Sequence, residues 1–114
     1  NSTDVGDMTT ARGYAAGASS ETYGYTMGGG YPRVNVVDKF SFAATANSTD
    51  VGDLLLVNTS LGGTSSTTHA YGSGGKTGVP RTNAIQQFAF SADGNATDVA
   101  NLTVAKDFMS TSQV

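Results

Sequence analysis

Cysteine and tryptophan are absent from this 114-residue chain, histidine occurs once and proline twice. Without cysteine there can be neither a disulfide framework nor a thiolate metal site. Charged residues make up 13%, against about 25% in ordinary globular domains. That excludes a coiled coil or a charged helical bundle, which need Ala, Glu, Lys and Leu in quantity. The six basic residues are scattered and the net charge is −3, so the chain lacks the electrostatic footprint of a nucleic-acid binder. No apolar run approaches the ~18 residues of a membrane-crossing helix, so no membrane insertion is expected. No signal peptide is visible. The first residue is Asn1 rather than Met, as expected of a processed product or a segment of a longer chain.

What fills the gap is small and polar. Ser and Thr together supply 28 residues and Gly another 15. Five Phe, five Tyr and many Val remain to be buried, which argues for a folded domain rather than a solvated tail.

The main signal is internal repetition. Asn1-Ser-Thr-Asp-Val-Gly-Asp7 returns unchanged as Asn47 to Asp53, and a drifted third copy runs Asn95-Ala-Thr-Asp-Val-Ala-Asn101. The match continues between these anchors. Tyr25 aligns with Tyr71, Gly28-Gly29 with Gly74-Gly75, Pro32-Arg33 with Pro80-Arg81, Val37 with Ile85, and Phe40-Ser-Phe42 with Phe88-Ala-Phe90. The spacings are 46 and 48 residues, which gives roughly 2.4 tandem units.

Each unit reads as strand and turn. Tyr23, Tyr25 and Met27 alternate and run into glycines. Val34, Val36, Phe40 and Phe42 share one face of a period-2 stretch, with Asp38 the exception, while Val37 and Ile85 fall on the other face. Apolar groups on both faces suit a strand buried between stacked sheets. Gly-Gly, Ser-Ser and Asn-Ser clusters separate the runs. The pattern predicts strands near 13–19, 21–27, 34–43 and 50–57 and at their counterparts, with 99–109 read as strand by its alignment to these. Four strands in about 47 residues is the size of a propeller blade. A β-solenoid with two coils per unit is the architectural alternative.

The motif spacing resembles the kelch repeat. Arg12 precedes Gly13-Tyr-Ala-Ala-Gly17, and Tyr25 and Tyr71 each lie three residues before a glycine pair. Asn35-Val-Val-Asp-Lys-Phe40 and Asn83-Ala-Ile-Gln-Gln-Phe88 follow. The repeat tryptophan of that family is missing. The phrase Asn-x-Thr-Asp-Val-Gly-Asp-Leu, with the Phe-x-Phe strand, is similar to repeats in structural proteins of bacteriophages and environmental viruses. The resemblance implies an all-β, kelch-like β-propeller fold. Its divisions would be an incomplete blade's last strand at 1–12, blades at 13–57 and 58–105, and a further blade's first strand at 106–114. The copper oxidase chemistry of some kelch folds needs a Cys-modified Tyr and several His, which this composition excludes.

Candidate chemistry is sparse. The pairs Asp4/Asp7 and Asp50/Asp53 offer oxygens to calcium, but Asx residues more often close turns, and Asn101 replaces Asp53 in the third copy. His69 stands where Tyr23 stands one unit earlier, and no nucleophile elbow accompanies it. Gly28-Gly-Gly30 is followed by Tyr31-Pro32 rather than by the helix a phosphate loop requires. Asn-x-Ser/Thr sequons head at Asn1, Asn47, Asn58, Asn95 and Asn101 and follow from composition. No catalytic residue, cofactor or metal is expected.

A single four-stranded sheet cannot bury both its faces, and two sheets leave outer faces and strand edges open. The expectation is therefore a non-catalytic structural element that assembles by packing blade on blade. Its partners would be further copies of itself or the remaining blades of a longer chain, in a virion appendage or extracellular filament. Tyr25, Tyr71, Val37, Ile85, Phe40, Phe42, Phe88 and Phe90 are the expected packing residues. A second expected role is recognition of a glycan or protein receptor through turns, with Tyr31, Arg33 and Arg81 as contacts.

Overall fold

The structure is a computed structural model and describes residues 2–78 and 80–108. Eight strands follow one another, and there is no helix among the described residues. In chain order they are β1 Ala16–Ser19, β2 Tyr23–Met27, β3 Val36–Ser41, β4 Thr49–Asp53, β5 Gly62–Ser65, β6 His69–Ser73, β7 Ala84–Ala89 and β8 Thr97–Asn101. They form two four-stranded sheets, β1-β2-β3-β4 and β5-β6-β7-β8, each strand pairing antiparallel with the next. The duplicated sequence thus folds twice into the same antiparallel meander. Strands pair within a unit, not with their counterparts in the next unit as the coils of a solenoid would.

The register is duplicated with the strands. Tyr25 stands opposite Lys39, and Tyr71 opposite Gln87. Both third-to-fourth strand ladders slip by one residue at the same place, between Val37 and Asp38 and between Ile85 and Gln86. The strands end earlier than the apolar run 54–57 suggests. Leu54 leaves β4 to turn its backbone N–H to the Asn35 carbonyl at 2.6 Å, and its side chain enters the core at 2% exposure. Leu102 makes the equivalent bond to Asn83 at 2.6 Å. Of the stretch 99–109, residue 109 lies outside the described residues, and among 99–108 only the part up to Asn101 is strand.

The two sheets pack face to face, with β1 against β5 and β6. The core lies between them and comprises Ala16, Tyr25, Met27, Val37, Leu54, Leu61, Ala70, Phe88 and Ala96. Close approach depends on a glycine. A Cβ on Gly63 of β5 would sit 2.3 Å from the Gly17 carbonyl oxygen of β1.

Main-chain hydrogen bonds tie successive units together. The Ser60 N–H donates to the Tyr14 carbonyl at 3.0 Å, and the Phe108 N–H donates to the Ser60 carbonyl at 2.9 Å. All three residues hold positive φ angles, 54°, 59° and 51°. A second tie runs along the fourth strands. Asn47 Oδ1 accepts from the Asp7 N–H and Asn95 Oδ1 from the Asp53 N–H, both at 3.0 Å. The N–H groups of Ser48 and Ala96 donate in return to the carbonyls of Asp7 and Asp53, both at 2.8 Å. Asn47 and Asn95, which head the second and third copies, are therefore clasps on the copy before.

Candidate assembly interface

Alternation along β2 and β3 gives each sheet two chemically distinct faces. The trailing face of the first sheet carries Tyr23, Tyr25, Met27, Val37 and Lys39, and it meets the second sheet. The leading face of the second sheet carries Phe88 and Phe90 and receives it. The Tyr25 ring lies 5.3 Å from Phe88 and 5.1 Å from Phe90, stacked on the latter. Phe88 and Phe90 meet edge to face at 6.4 Å. This three-ring contact is the centre of the sheet-to-sheet packing.

Polar groups border it. Lys39 Nζ reaches Asp93 Oδ1 across the joint at 2.6 Å and sits 4.9 Å over the Tyr23 ring. The bond to Asp93 raises the Lys39 pKa above its ordinary value. Burial raises the Tyr25 phenol, with the Lys39 charge opposing. Gln86, 1% exposed, accepts from the Leu55 N–H at 2.5 Å, and the buried Asn58 side chain donates to the Gly74 carbonyl at 2.8 Å.

The expected packing residues divide between this joint and the outer surfaces. Tyr25, Val37 and Phe88 are in the core and Phe90 packs against it. Their counterparts lie outside. Tyr71 and Ile85 are half-buried on the open trailing face of the second sheet. Phe40 and Phe42 are 37% and 56% exposed on the open leading face of the first and meet each other edge to face at 5.9 Å. Phe40 folds across Gly24 of its own sheet, so closely that a Cβ there would lie 2.2 Å from the ring. Beside it is a cavity of about 230 Å³ lined by Val5, Met8, Phe40, Ala44 and Ala46. Of the corresponding second-unit residues, Leu54 and Phe88 lie in the filled core and Val51 packs against it.

Asp38, the polar break in the apolar face, is wholly buried. Its carboxylate accepts from the Thr9 N–H at 2.9 Å and the Thr9 hydroxyl at 2.6 Å. It also faces Arg12 Nη2 at 3.4 Å, with neither side chain exposed. The sequence motifs include Arg12 and Asn58 but give no sign that their side chains, with that of Gln86, are buried, or that Thr9 bonds to Asp38. The signal was in the repeat alignment: Arg12 and Asp38 become Asn58 and Gln86 one unit on, so two charged residues give way to two neutral ones at the same two places.

The expected contact residues are separate from this joint. Tyr31 is exposed, with the Arg33 guanidinium 5.2 Å over its ring and Tyr14 edge-on at 6.4 Å. Phe108 lies 6.1 Å from Tyr14. Arg81 is engaged elsewhere, donating from Nε to Asp107 Oδ1 at 2.6 Å, which holds the Asp107 carboxyl below its usual range.

The carboxylates Asp4 and Asp50 accept from the N–H groups of Gly6 and Gly52, both at 3.1 Å, and so close local turns. Among the described residues no three His, Asp or Glu side chains come together as a metal site would require. His69 Nδ1 lies 2.8 Å from the Thr68 hydroxyl. No family model matches the chain, and no curated protein matches it.

Proposed function

We propose that this protein is a non-catalytic structural repeat protein whose two sheets are kelch-like propeller blades and whose work is to assemble, blade on blade. The setting that suits it is a virion appendage, tail or extracellular filament. One observation carries the reading. Tyr25 and Phe88 are buried and Phe90 is half-buried against them, while their repeat counterparts Tyr71, Phe40 and Phe42 lie on open faces of opposite ends. The chain exposes the two halves of an interface that it also contains in closed form.

Burial is the driving force. At about 25 cal/mol per Å² of apolar area, covering a sheet face of several hundred Å² contributes on the order of 10 kcal/mol before entropy costs. The test is native mass by light scattering over a concentration series. Association above the 11.6 kDa monomer is expected, and a monomer at every concentration overturns the role.

A second reading, recognition of a glycan or protein receptor, is favoured by the exposed group Tyr14, Tyr31 and Phe108 with Arg33 over Tyr31. Open aromatic rings beside a guanidinium suit stacking on a sugar. Glycan-array binding that disappears in Tyr31→Ala is the expected result, and equal binding by the variant rejects it.

A further inference from the structure

Thr3-Asp-Val-Gly-Asp7 has the same sequence as Thr49–Asp53, which forms β4. The first copy, however, belongs to no sheet among the described residues. Among the described residues its hydrogen bonds to the rest of the chain are the lateral tie to Asn47 and Ser48, the same tie that joins β4 to Asn95 and Ala96. Residues 3–7 therefore sit where the fourth strand of a preceding sheet would sit, beside the open leading face.

A sheet able to fill that place needs a tyrosine on its trailing face to meet Phe40 and Phe42, and a third strand able to pair with residues 3–7. The second sheet of this chain has both, in Tyr71 and β7. Its β7 is already paired with β8, whose five residues are all exposed. The two segments claim one slot, because residues 3–7 and 97–101 occupy equivalent repeat positions.

We infer that in the assembly residues 3–7 of one copy replace β8 on β7 of a second copy, so that the first sheet of one copy docks head to tail on the second sheet of the next. This rests on the assembly role proposed above. The ladder then follows the β7–β8 register: Thr3 opposite Gln87 of the second copy, Gly6 opposite its Ile85 and Asp7 opposite its Ala84. The ladder bonds released by β8 are remade by the incoming strand. The gain is the covering of Phe40, Phe42, Tyr71 and the adjoining cavity.

Two details of the closed joint carry over to the open one. Where Lys39 meets Asp93 inside the chain, the corresponding residues of two copies are Gln87 and Thr45, so both partners of an ion pair become neutral together. Where Gly63 admits the Gly17 carbonyl, the receiving residue would be Gly17, which has nothing nearer than 3.8 Å to an added Cβ. Because the two faces differ, the contact is heterologous and builds a ring or a filament.

The chain has no cysteine, so introduced thiols report cleanly. Thr3→Cys and Gln87→Cys, prepared separately, mixed and oxidised, are expected to give a disulfide-linked dimer containing one of each. Thr97→Cys/Gln87→Cys in a single chain checks that the register supports a bond. In a second measurement, Phe40→Ala/Phe42→Ala and Tyr71→Ala should each self-associate roughly tenfold or more weakly, as for central aromatic contacts, yet form a one-to-one dimer when mixed. Association without the 3–87 cross-link overturns the strand exchange and leaves the assembly role standing. Association of a single-face variant with itself overturns the head-to-tail order. A monomeric parent overturns both inferences.

Discussion

The two sheets are built from one pattern and differ in what covers them. Phe88 and Phe40 occupy the same position of the same strand, but Phe88 is 7% exposed against Tyr25 while Phe40 is open to solvent across Gly24. Nothing in the local sequence separates them, since both stand in a Phe-x-Phe strand. The difference is the neighbour: a preceding sheet is present for one and missing for the other. Burial in a stacked-sheet protein is therefore a property of position in the stack, and the side chain only makes it available.

The sheets differ a second way, at the polar break in the apolar face. The first uses Arg12 and Asp38, the second Asn58 and Gln86. Two Arg12 nitrogens, Nε and Nη1, are buried without a hydrogen-bond partner. Removing one member of a buried ion pair strands the other, so Arg12→Asn should cost about 3–5 kcal/mol. Adding Asp38→Gln removes the stranded charge and should recover most of that loss, because Asn58 and Gln86 are buried without charge at the same two places one unit on. Urea midpoints decide this; a double variant no better than the single would show that the two sites are not interchangeable.

Phe88→Ala should cost about 3–5 kcal/mol, whereas Phe40→Ala in dilute solution should cost under ~1 kcal/mol, as for an exposed position. Equal losses would mean that the open face is covered after all. Gly63→Ala forces a methyl toward the Gly17 carbonyl and should destabilise by about 1–3 kcal/mol. Gly17→Ala has room for the methyl and should leave the monomer's thermal midpoint almost unchanged.

The smallest effects belong to the rim. Lys39→Met should change stability by about 0.2–1 kcal/mol, and the difference should shrink with added salt, because Asp93 is half-exposed. Lys39 and Tyr25 both hold their protons more tightly in the folded protein. Their contribution is complete below the unfolded pKa values and is lost as pH rises above about 10. Denaturation followed from pH 8 to 11 should show stability falling at the alkaline end, and less steeply in Lys39→Met.

The strand order and both faces were legible from two periodicities, the 46–48-residue repeat and the period-2 run of Val36 to Phe42. Strand ends were less so, because Leu54 continues an apolar run yet turns out of β4 into the core. Tyr25 and Tyr71 look identical in the sequence, and only the stack separates a core ring from an open one. Asp38 was visible as an exception to its face, but its partners lie 26 and 29 residues away in the chain, at Arg12 and Thr9. No local pattern links residues so distant; only comparison of one unit with the next does.

The column formed by Tyr14, Ser60 and Phe108 has a consequence for how such a chain can vary. The three share a left-handed backbone and a continuous hydrogen-bonded line, although a phenol, a small hydroxyl and a plain aromatic ring hang from it. The main chain does the joining, so the pendant groups are at liberty to change. A duplicated protein of this kind can diversify what it displays along that column from one unit to the next without retuning the spacing that holds its units together.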